Sequence, residues 1–509
     1  MSDLDTLRRH CSHYLLGRVF LLALGFVSFP LFTRLFSVAD YGDMNLIFKI
    51  VLCFVVVSKL GIQNSVVRFY EESVREGTLL SSRRYYSTLL FGTAGIGVLV
   101  TLVFVLGTLL TSVSFFAPSL KRILILASLL IVIRSQWSIL SGFLQAEGRT
   151  RVYNVLDVIN KAGSIAVICL LLITWPRSLA AFFTGTIVVE AAAAVVVIGL
   201  LIRRHVLHWA VFDWIFLRTV LAFGFPLVAY EIASVILDSG DRFLIRNYLG
   251  AEQLGYYSAA YNLSSYAQIS LMAPINLALI PIYMKVWVSK GKEETQSFLR
   301  KSLDLYLFIA IGICCTVTLI SRDLVILLAS KKFESSYHLL PILIVGLFIY
   351  SVHIFLTAGL LIHKKTFLMA RQVIYATVLN IGLNVILLPR VGVAGAAWAT
   401  LLSYAFLIGL MMLASFRLLP ITIDYGNLVR YFFAAAVTYG VISQIEFKSV
   451  LWGLALKGTL GVVMYLGLLW VIDRRLRKMV AELVHKPTQA QGTTQLPELR
   501  MANASSEKE

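Results

Sequence analysis

The sequence predicts an all-α polytopic membrane protein of about fourteen transmembrane helices, arranged as two six-helix lobes and two further helices. Three observations support this prediction. Of the 509 residues, 59% are hydrophobic and 14% are charged, against about 45–50% and about 25% in soluble domains. The apolar residues form runs of about 20 residues, which is the length of a helix that crosses a bilayer, and they lack the alternation of a membrane barrel. Finally, the two halves of the chain repeat each other.

The apolar runs follow one another along the whole chain, which excludes a soluble enzyme with a single membrane anchor. The eleventh and thirteenth runs are short, so twelve helices is the alternative count. In order, the runs are Tyr14–Leu35, Tyr41–Leu60, Leu89–Ser112, Leu120–Leu144, Tyr153–Thr174, Leu179–Leu201, Thr219–Asp238, Tyr256–Ile282, Leu303–Ile320, Leu339–Leu361, Ile374–Leu388, Ala394–Leu413, Val429–Ile445 and Leu451–Ile472.

The net charge of +18 indicates a membrane orientation and not a nucleic-acid surface. If both termini are cytoplasmic, the inner segments carry 27 Lys and Arg residues, the outer segments 8 and the runs ten. Cytoplasmic loops of membrane proteins carry the excess of basic residues. We therefore expect cytoplasmic termini, with a first run that is retained because no small-residue cleavage site follows it.

The internal repeat divides the chain. Arg34–Gly42 resembles Arg246–Gly255 at an offset of 212, and Gly142–Thr150 resembles Gly359–Thr366 at an offset of 216. Such repeats are typical of transporters in which one half moves against the other. The predicted units are the cytoplasmic N-terminus 1–13, the N-lobe 14–205, a cytoplasmic linker 206–218, the C-lobe 219–415, two extra spans in 416–472 and a partly disordered cytoplasmic tail 473–509.

The outer turns of the two lobes carry a family resemblance. The stretches Leu31–Gly42, Gly142–Thr150, Asp241–Tyr261 and Val391–Thr400 resemble the polysaccharide-transporter family. This family contains the O-antigen and exopolysaccharide flippases of the multidrug/oligosaccharidyl-lipid/polysaccharide exporter superfamily. The resemblance covers roughly residues 10–475. It implies two lobes around a central cavity, alternating access, a polyprenyl-pyrophosphate-linked oligosaccharide as cargo, and a location in the bacterial inner membrane.

Ionisable side chains inside the runs are the candidate site residues, because a charge in hydrocarbon is costly and normally faces a cavity or a partner. The basic candidates Arg18, Lys49, Arg134 and Lys161 all lie in the N-lobe. We expect them to bind the anionic headgroup of the substrate, since cations offset the desolvation of a pyrophosphate. The alternatives are snorkelling to the interface for Arg18 and structural ion pairs for Lys49 and Arg134.

Four acidic side chains are candidates for coupling transport to a proton or cation, because a carboxylate without a basic partner on its own helix is prone to protonation. Asp157 is also four residues before Lys161, so these two side chains share a helix face and can neutralise each other. The sequence places Asp241 and Arg242 at the outer end of the seventh run. The acidic candidates are Asp157, Glu190, Glu231 and Asp238.

No catalytic, nucleotide-binding or metal-binding motif occurs in the sequence, so we expect no enzyme activity, cofactor or metal. The longest loop, Gly61–Ser87, has 27 residues and reads as an amphipathic helix on the cytoplasmic face. The expected partners are the lipid-linked oligosaccharide, membrane lipids and other polysaccharide-assembly membrane proteins, with no nucleic acid. A cation-coupled multidrug exporter and a peptidoglycan-precursor flippase are alternatives within the superfamily. A membrane glycosyltransferase or polymerase is disfavoured, because it needs a large outer loop with catalytic acids.

Overall fold

Helices form the framework of the structure. The computed structural model describes residues 3–75, 78–111, 117–174, 178–204, 206–447 and 449–473, and these ranges contain no strand. The helices of the first half are α1 (Asp3–Leu35), α2 (Val38–Lys59), α3 (Ile62–Tyr70), α4 (Leu79–Leu110), α5 (Pro118–Ala146), α6 (Thr150–Thr174) and α7 (Leu179–Arg203). Those that follow are α8 (Trp214–Leu249), α9 (Ala251–Leu319), α10 (Ser321–Leu324), α11 (Leu340–Ser351), α12 (His353–Leu356), α13 (Ala358–Ile362), α14 (Thr366–Val391), α15 (Val393–Leu418), α16 (Tyr425–Ile442), α17 (Val450–Trp452) and α18 (Gly458–Ile472).

Local signals in the sequence set many of the helix ends. At the start of α2, the Ser37 hydroxyl accepts a hydrogen bond from the Asp40 N–H at 3.0 Å. At the start of α8, the Asp213 carboxylate accepts from the Phe216 N–H at 2.9 Å. These side chains satisfy N–H groups that have no partner inside the helix. Gly250, with φ of 88°, separates α8 from α9 in a conformation that glycine adopts without strain.

The predicted all-helical membrane fold is confirmed. Each of the fourteen predicted runs lies on helical structure, apart from a few residues at the ends and single-residue turns at Val352 and Thr357 within the tenth run. The eighth and ninth runs share α9, a helix of 69 residues that leaves helical geometry at Gly291, where φ is 80°. Ten of the described helices are long and apolar enough to cross a membrane, or eleven if the two parts of α8, bent by 49°, are one span. Fourteen spans remains a prediction, because α9 counts once and α1 and α16 do not meet that criterion.

The seventh predicted run is longer in the structure than in the prediction. The run ends at Asp238, but α8 continues to Leu249. Asp241 and Arg242 are therefore helix residues buried inside the protein, each with 1% of its surface exposed, and their expected position in an outer loop is wrong. They remain buried because the Arg242 guanidinium donates to the Asp241 carboxylate at 3.3 Å, and Tyr257 donates its hydroxyl hydrogen to the same carboxylate.

The predicted amphipathic helix is present but shorter than the loop that contains it. Its α-helical part, α3, is followed by a π-helical turn at Glu71–Arg75, and α4 begins at Leu79. Val66 on α3 is fully buried, whereas Val67 beside it is 57% exposed. One face of α3 thus packs on the protein while the other is free for the membrane interface.

Helices from the two halves of the chain meet along α2. This helix packs beside α8 in antiparallel orientation and crosses α9 close to its start. A side-chain carbon on Gly42 would lie 2.4 Å from the Ala251 carbonyl oxygen, and one on Gly255 would lie 2.1 Å from the Val38 carbonyl oxygen. Glycine is therefore required at both positions, which are the glycines of the repeated turns. The repeat thus marks a close backbone contact between the halves.

Candidate functional site

A large cavity lies mostly within the first half of the chain. Its volume is about 680 Å³, and α1, α2, α5, α6 and α7 form most of its wall. Asn262 and Tyr266 of α9 close the remaining side. The polar and charged residues that line it are Ser28, Tyr41, Asn45, Lys59, Trp137, Arg134, Ser138, Ser141, Tyr153, Asp157, Asn160, Lys161, Ser164, Thr186, Glu190, Asn262 and Tyr266.

Arg134 and Glu190 form a bidentate ion pair in the cavity wall. The Arg134 Nε and Nη2 atoms donate to the two Glu190 carboxylate oxygens at 2.9 and 2.7 Å. The guanidinium also stacks over the Phe48 ring, with Cζ 4.9 Å from the ring centre. Their side chains are 26% and 16% exposed, so both still reach the cavity. Packing of α5 on α7 thus joins a predicted headgroup residue to a predicted coupling residue.

Lys161 is a cationic side chain of the lining that is available to a ligand. Among the described residues, its ammonium group forms no hydrogen bond or ion pair, and the side chain is exposed. Arg134, Glu190 and Asp157 are its charged neighbours. The predicted mutual neutralisation of Asp157 and Lys161 stays a prediction. The Lys161 ammonium is available to an anion that enters the cavity.

Lys161 also lines a second cavity of about 510 Å³ that is mostly apolar. Its walls come from α1 and α9, and Leu21, Lys161 and Tyr266 belong to both cavities. The other residues of this wall are Leu22, Gly25, Gln268, Ile269, Met272, Ala273 and Asn276. A polar chamber and an apolar groove therefore meet at these three side chains.

Lys49 does not line the large cavity. Its ammonium lies 2.6 Å from the Asp238 carboxylate, so an ion pair joins α2 of the first half to α8 of the second. The Tyr261 hydroxyl also donates to Asp238. Asp238 and Tyr261 line a further cavity of about 270 Å³ in the second half, together with Ser234, Leu237, Ser265, Gln268, Ile269, Leu347, Tyr350 and Tyr404.

Glu231 and Arg18 are the remaining predicted residues. The Glu231 carboxylate accepts hydrogen bonds from the Gln63 amide at 2.7 and 2.9 Å and from the Asn64 amide at 3.2 Å. Glu231 therefore has amide partners on α3. These partners lie far from Glu231 in the sequence, so the sequence around Glu231 does not predict the contact. The side chain of Arg18 lies outside the described residues, so its predicted role stays a prediction.

Sequence reasoning missed two features of this region. Arg242 is the largest fully buried side chain of the described residues, and its Nη1 atom also donates to the Asp238 carbonyl oxygen at 2.7 Å. The second feature is a cluster in which the Asn262 amide donates to the Tyr41 hydroxyl at 2.7 Å and to the Asn45 side chain at 3.1 Å. The position of Arg242 between two apolar runs was a signal in the sequence that could have identified it. The uncharged side chains of Tyr41, Asn45 and Asn262 give no such signal.

The lining chemistry suits an anionic and hydroxylated ligand. Three cations (Lys59, Arg134, Lys161) face two anions (Asp157, Glu190) across the large cavity. Amides and hydroxyls supply hydrogen bonds to uncharged polar groups. Within the described ranges, no group of three or more His, Cys, Asp or Glu side chains is placed to hold a metal ion.

Comparison with known proteins places this geometry in context. The family model described as "Polysaccharide biosynthesis protein" matches residues 7–287. The "Probable low-salt glycan biosynthesis flippase Agl15" of Haloferax volcanii is 26% identical over 187 residues. The match covers 35% of this chain and 39% of that protein, so the chain aligns with about two fifths of the relative's length.

Solved structures match over most of the chain. "Lipid II flippase MurJ, inward closed conformation" has a TM-score of 0.75 and 16% identity, and the match covers 91% of this chain and 99% of MurJ. An inward-facing multidrug resistance transporter of the MATE family has a TM-score of 0.60 and 13% identity, with coverage of 82% and 94%. At these identities the similarity shows a shared fold.

Proposed function

The chain belongs to the polysaccharide biosynthesis protein family, and from this premise we propose that it is a flippase for a polyprenyl-pyrophosphate-linked oligosaccharide. The cargo is an O-antigen or exopolysaccharide repeat unit, carried across the bacterial inner membrane. Both the resemblance of the outer turns and the match over residues 7–287 support this assignment. The relative from Haloferax volcanii is itself named as a glycan biosynthesis flippase.

The observation that carries the proposal is the Lys161 ammonium, which forms no ion pair among the described residues. It lies beside Arg134 in a chamber lined with amides and hydroxyls. A pyrophosphate diester carries negative charge that needs cations once it leaves water. The Arg134 guanidinium is held in place by Glu190, and its remaining N–H groups can donate to a phosphate. Asn45, Asn160 and Asn262 would then face the sugar hydroxyls.

The lipid tail requires a separate, apolar route, and the groove between α1 and α9 provides one. It adjoins the chamber at Lys161 and Tyr266. In this arrangement the charged headgroup occupies the chamber while the polyprenyl chain stays in contact with hydrocarbon. Desolvation is then confined to the headgroup, which is the part that the cations stabilise.

We propose that transport occurs by alternating access of the predicted N-lobe (14–205) and C-lobe (219–415), with both termini in the cytoplasm. The contacts between α2 and helices α8 and α9 are the surfaces that would separate and re-form. Other membrane proteins of polysaccharide assembly are the proposed partners, since they would supply and consume the lipid-linked unit.

A flipping assay tests the proposal. The purified chain is placed in proteoliposomes with a fluorescently labelled polyprenyl-pyrophosphate oligosaccharide, and the glycan that reaches the opposite leaflet is measured. We expect protein-dependent flipping, and we expect Lys161→Gln to raise KM about tenfold, equivalent to about 1.4 kcal/mol of lost binding.

The matched control is Lys301→Gln, which removes the same charge from an exposed position outside both cavities. It should leave KM unchanged. Flipping that is absent, or transport of cationic dyes without transport of the glycan, would contradict the proposed function. Equal KM values for Lys161→Gln and wild type would contradict the headgroup site alone.

A further inference from the structure

We propose that the ion pair between Lys49 and Asp238 is a charge switch, in which Lys49 exchanges Asp238 for the substrate phosphate and Asp238 then takes up a proton. This inference rests on the proposed function, because the phosphate is the competing anion. The switch makes Asp238, in the cavity of the second half, a proton-binding residue. It couples protonation of Asp238 to substrate occupancy of the large chamber in the first half.

The position of the pair suits a link between the halves. Three polar contacts join α2 and the residues that follow it to α8, namely Asp43 with Arg246 at 2.6 Å, Lys49 with Asp238 at 2.6 Å and Gln63 with Glu231 at 2.7 Å. From the first contact to the third, residue numbers rise from α2 into α3 and fall along α8, as expected for antiparallel helices. The contact between Lys49 and Asp238 is the middle one and thus lies between the two ends of α2.

Lys49 is placed between the two cavities. Its neighbours Asn45, Phe48 and Leu52 on α2 line the large chamber, while its ammonium contacts the residue that lines the smaller one. The Lys49 side chain is 26% exposed, and lysine carries its charge on a flexible four-carbon stem. A modest rotation about that stem is the movement that the switch requires.

The charges around Asp238 sum to zero while Lys49 is in place. Lys49 and Arg242 are the cations, and Asp238 and Asp241 are the anions. The other titratable groups that face Asp238 are the phenols of Tyr261, Tyr350 and Tyr404, which are neutral near pH 7. The buried polar side chains of α14, which also packs on α8, are the uncharged Gln372, Thr377, Asn380 and Asn384.

Transfer of Lys49 to a phosphate leaves one uncompensated negative charge. Arg242 does not offset this charge, because its own positive charge is already balanced by the Asp241 carboxylate that it contacts. A carboxylate inside a membrane protein that has lost its cationic partner is disfavoured relative to its neutral form. One proton added to an Asp238 carboxylate oxygen restores neutrality, while Lys49 keeps its own proton throughout.

The second-half cavity gives that proton a route. Its volume is about 270 Å³, room for several waters at about 30 Å³ each. The Asp238 side chain is 40% exposed, so its carboxylate is accessible from this space. Ser234, Ser265 and Gln268 in the same wall can hydrogen-bond the waters.

The test measures flipping and proton movement together. Proteoliposomes with a trapped pH-sensitive dye and labelled polyprenyl-pyrophosphate oligosaccharide are assayed with and without a pH gradient. For wild type we expect the gradient to change the flipping rate at least threefold, and substrate addition to cause proton movement. Asp238→Asn and Lys49→Gln should each flip at a rate that does not depend on the gradient, without substrate-linked proton movement.

The matched control is Asp43→Asn, which breaks the outer ion pair between the same two helices and should keep the dependence on the gradient. Infrared difference spectra on binding undecaprenyl pyrophosphate give a readout without transport, namely a protonated carboxyl band in wild type that Asp238→Asn lacks. Gradient dependence in Asp238→Asn, or its absence in a wild-type protein that flips the lipid, would overturn the switch. Absence of wild-type flipping would instead refute the proposed function.

Discussion

At the scale of single residues, two cations predicted to bind the headgroup form ion pairs with two carboxylates predicted to couple transport to an ion. Arg134 and Lys49 each hold a carboxylate that was predicted to serve ion coupling, namely Glu190 and Asp238. Each carboxylate neutralises its cation and fixes its position, which a buried charge requires in a membrane interior. In the proposed function, a phosphate competes with these carboxylates for the cations.

The pair in the large chamber yields a prediction. Glu190→Gln removes the competing negative charge but keeps an oxygen that can accept from Arg134. We expect the affinity for the pyrophosphate headgroup to rise about fivefold, equivalent to about 1 kcal/mol, measured by titration of the purified protein with a short-chain lipid pyrophosphate. As a control, Glu334→Gln removes a carboxylate that pairs with Arg322 at 2.7 Å outside the chamber, and should leave the affinity unchanged. Weaker binding by Glu190→Gln would show that Glu190 chiefly positions Arg134.

At the scale of helices, the two halves approach each other where the repeated turns place glycine. The Gly42 and Gly255 positions bring α2 and α9 into backbone contact. The second close approach, between Gly61 and Gly224, has a distance of 2.3 Å from a side-chain carbon on Gly61 to the Gly224 carbonyl oxygen. Contacts near both ends of α2 therefore hold the halves together in this structure.

Substitution at the crossing of α2 and α9 tests this contact. In Gly255→Ala the added carbon would meet the Val38 carbonyl oxygen at 2.1 Å, so the helices must move apart. We expect a loss of about 1–3 kcal/mol of stability, seen as a lower apparent melting temperature in detergent. Gly95→Ala is the control, since nothing lies within 4 Å of the added carbon. Equal melting temperatures for the two variants would refute the close contact.

At the scale of the whole molecule, the predicted orientation in the membrane depends on charge. The predicted excess of 27 cytoplasmic basic residues over 8 outer ones is distributed over many loops, so no single charge decides it. The contacts among the helices are compatible with either orientation.

Labelling from one side of the membrane determines the orientation. In a cysteine-free background, Lys331→Cys and Ser289→Cys introduce single thiols at exposed positions on segments predicted to be outer and inner. A membrane-impermeant maleimide should label Lys331→Cys in intact spheroplasts and Ser289→Cys only after permeabilisation. Labelling of both variants after permeabilisation serves as the control. The reverse pattern in intact cells would contradict cytoplasmic termini.

The sequence by itself determined the helical membrane fold and the family. Apolar runs specify helices because the backbone must satisfy its own hydrogen bonds in hydrocarbon, and this depends on local composition. The tertiary structure alone decided which charges meet. Arg134 and Glu190 are 56 residues apart, Gln63 and Glu231 are 168 apart, and Lys49 and Asp238 are 189 apart. Helix periodicity relates residues within one helix, whereas these distant contacts arise from packing between helices. That packing also buries Asp241 and Arg242, which the sequence alone placed in a loop.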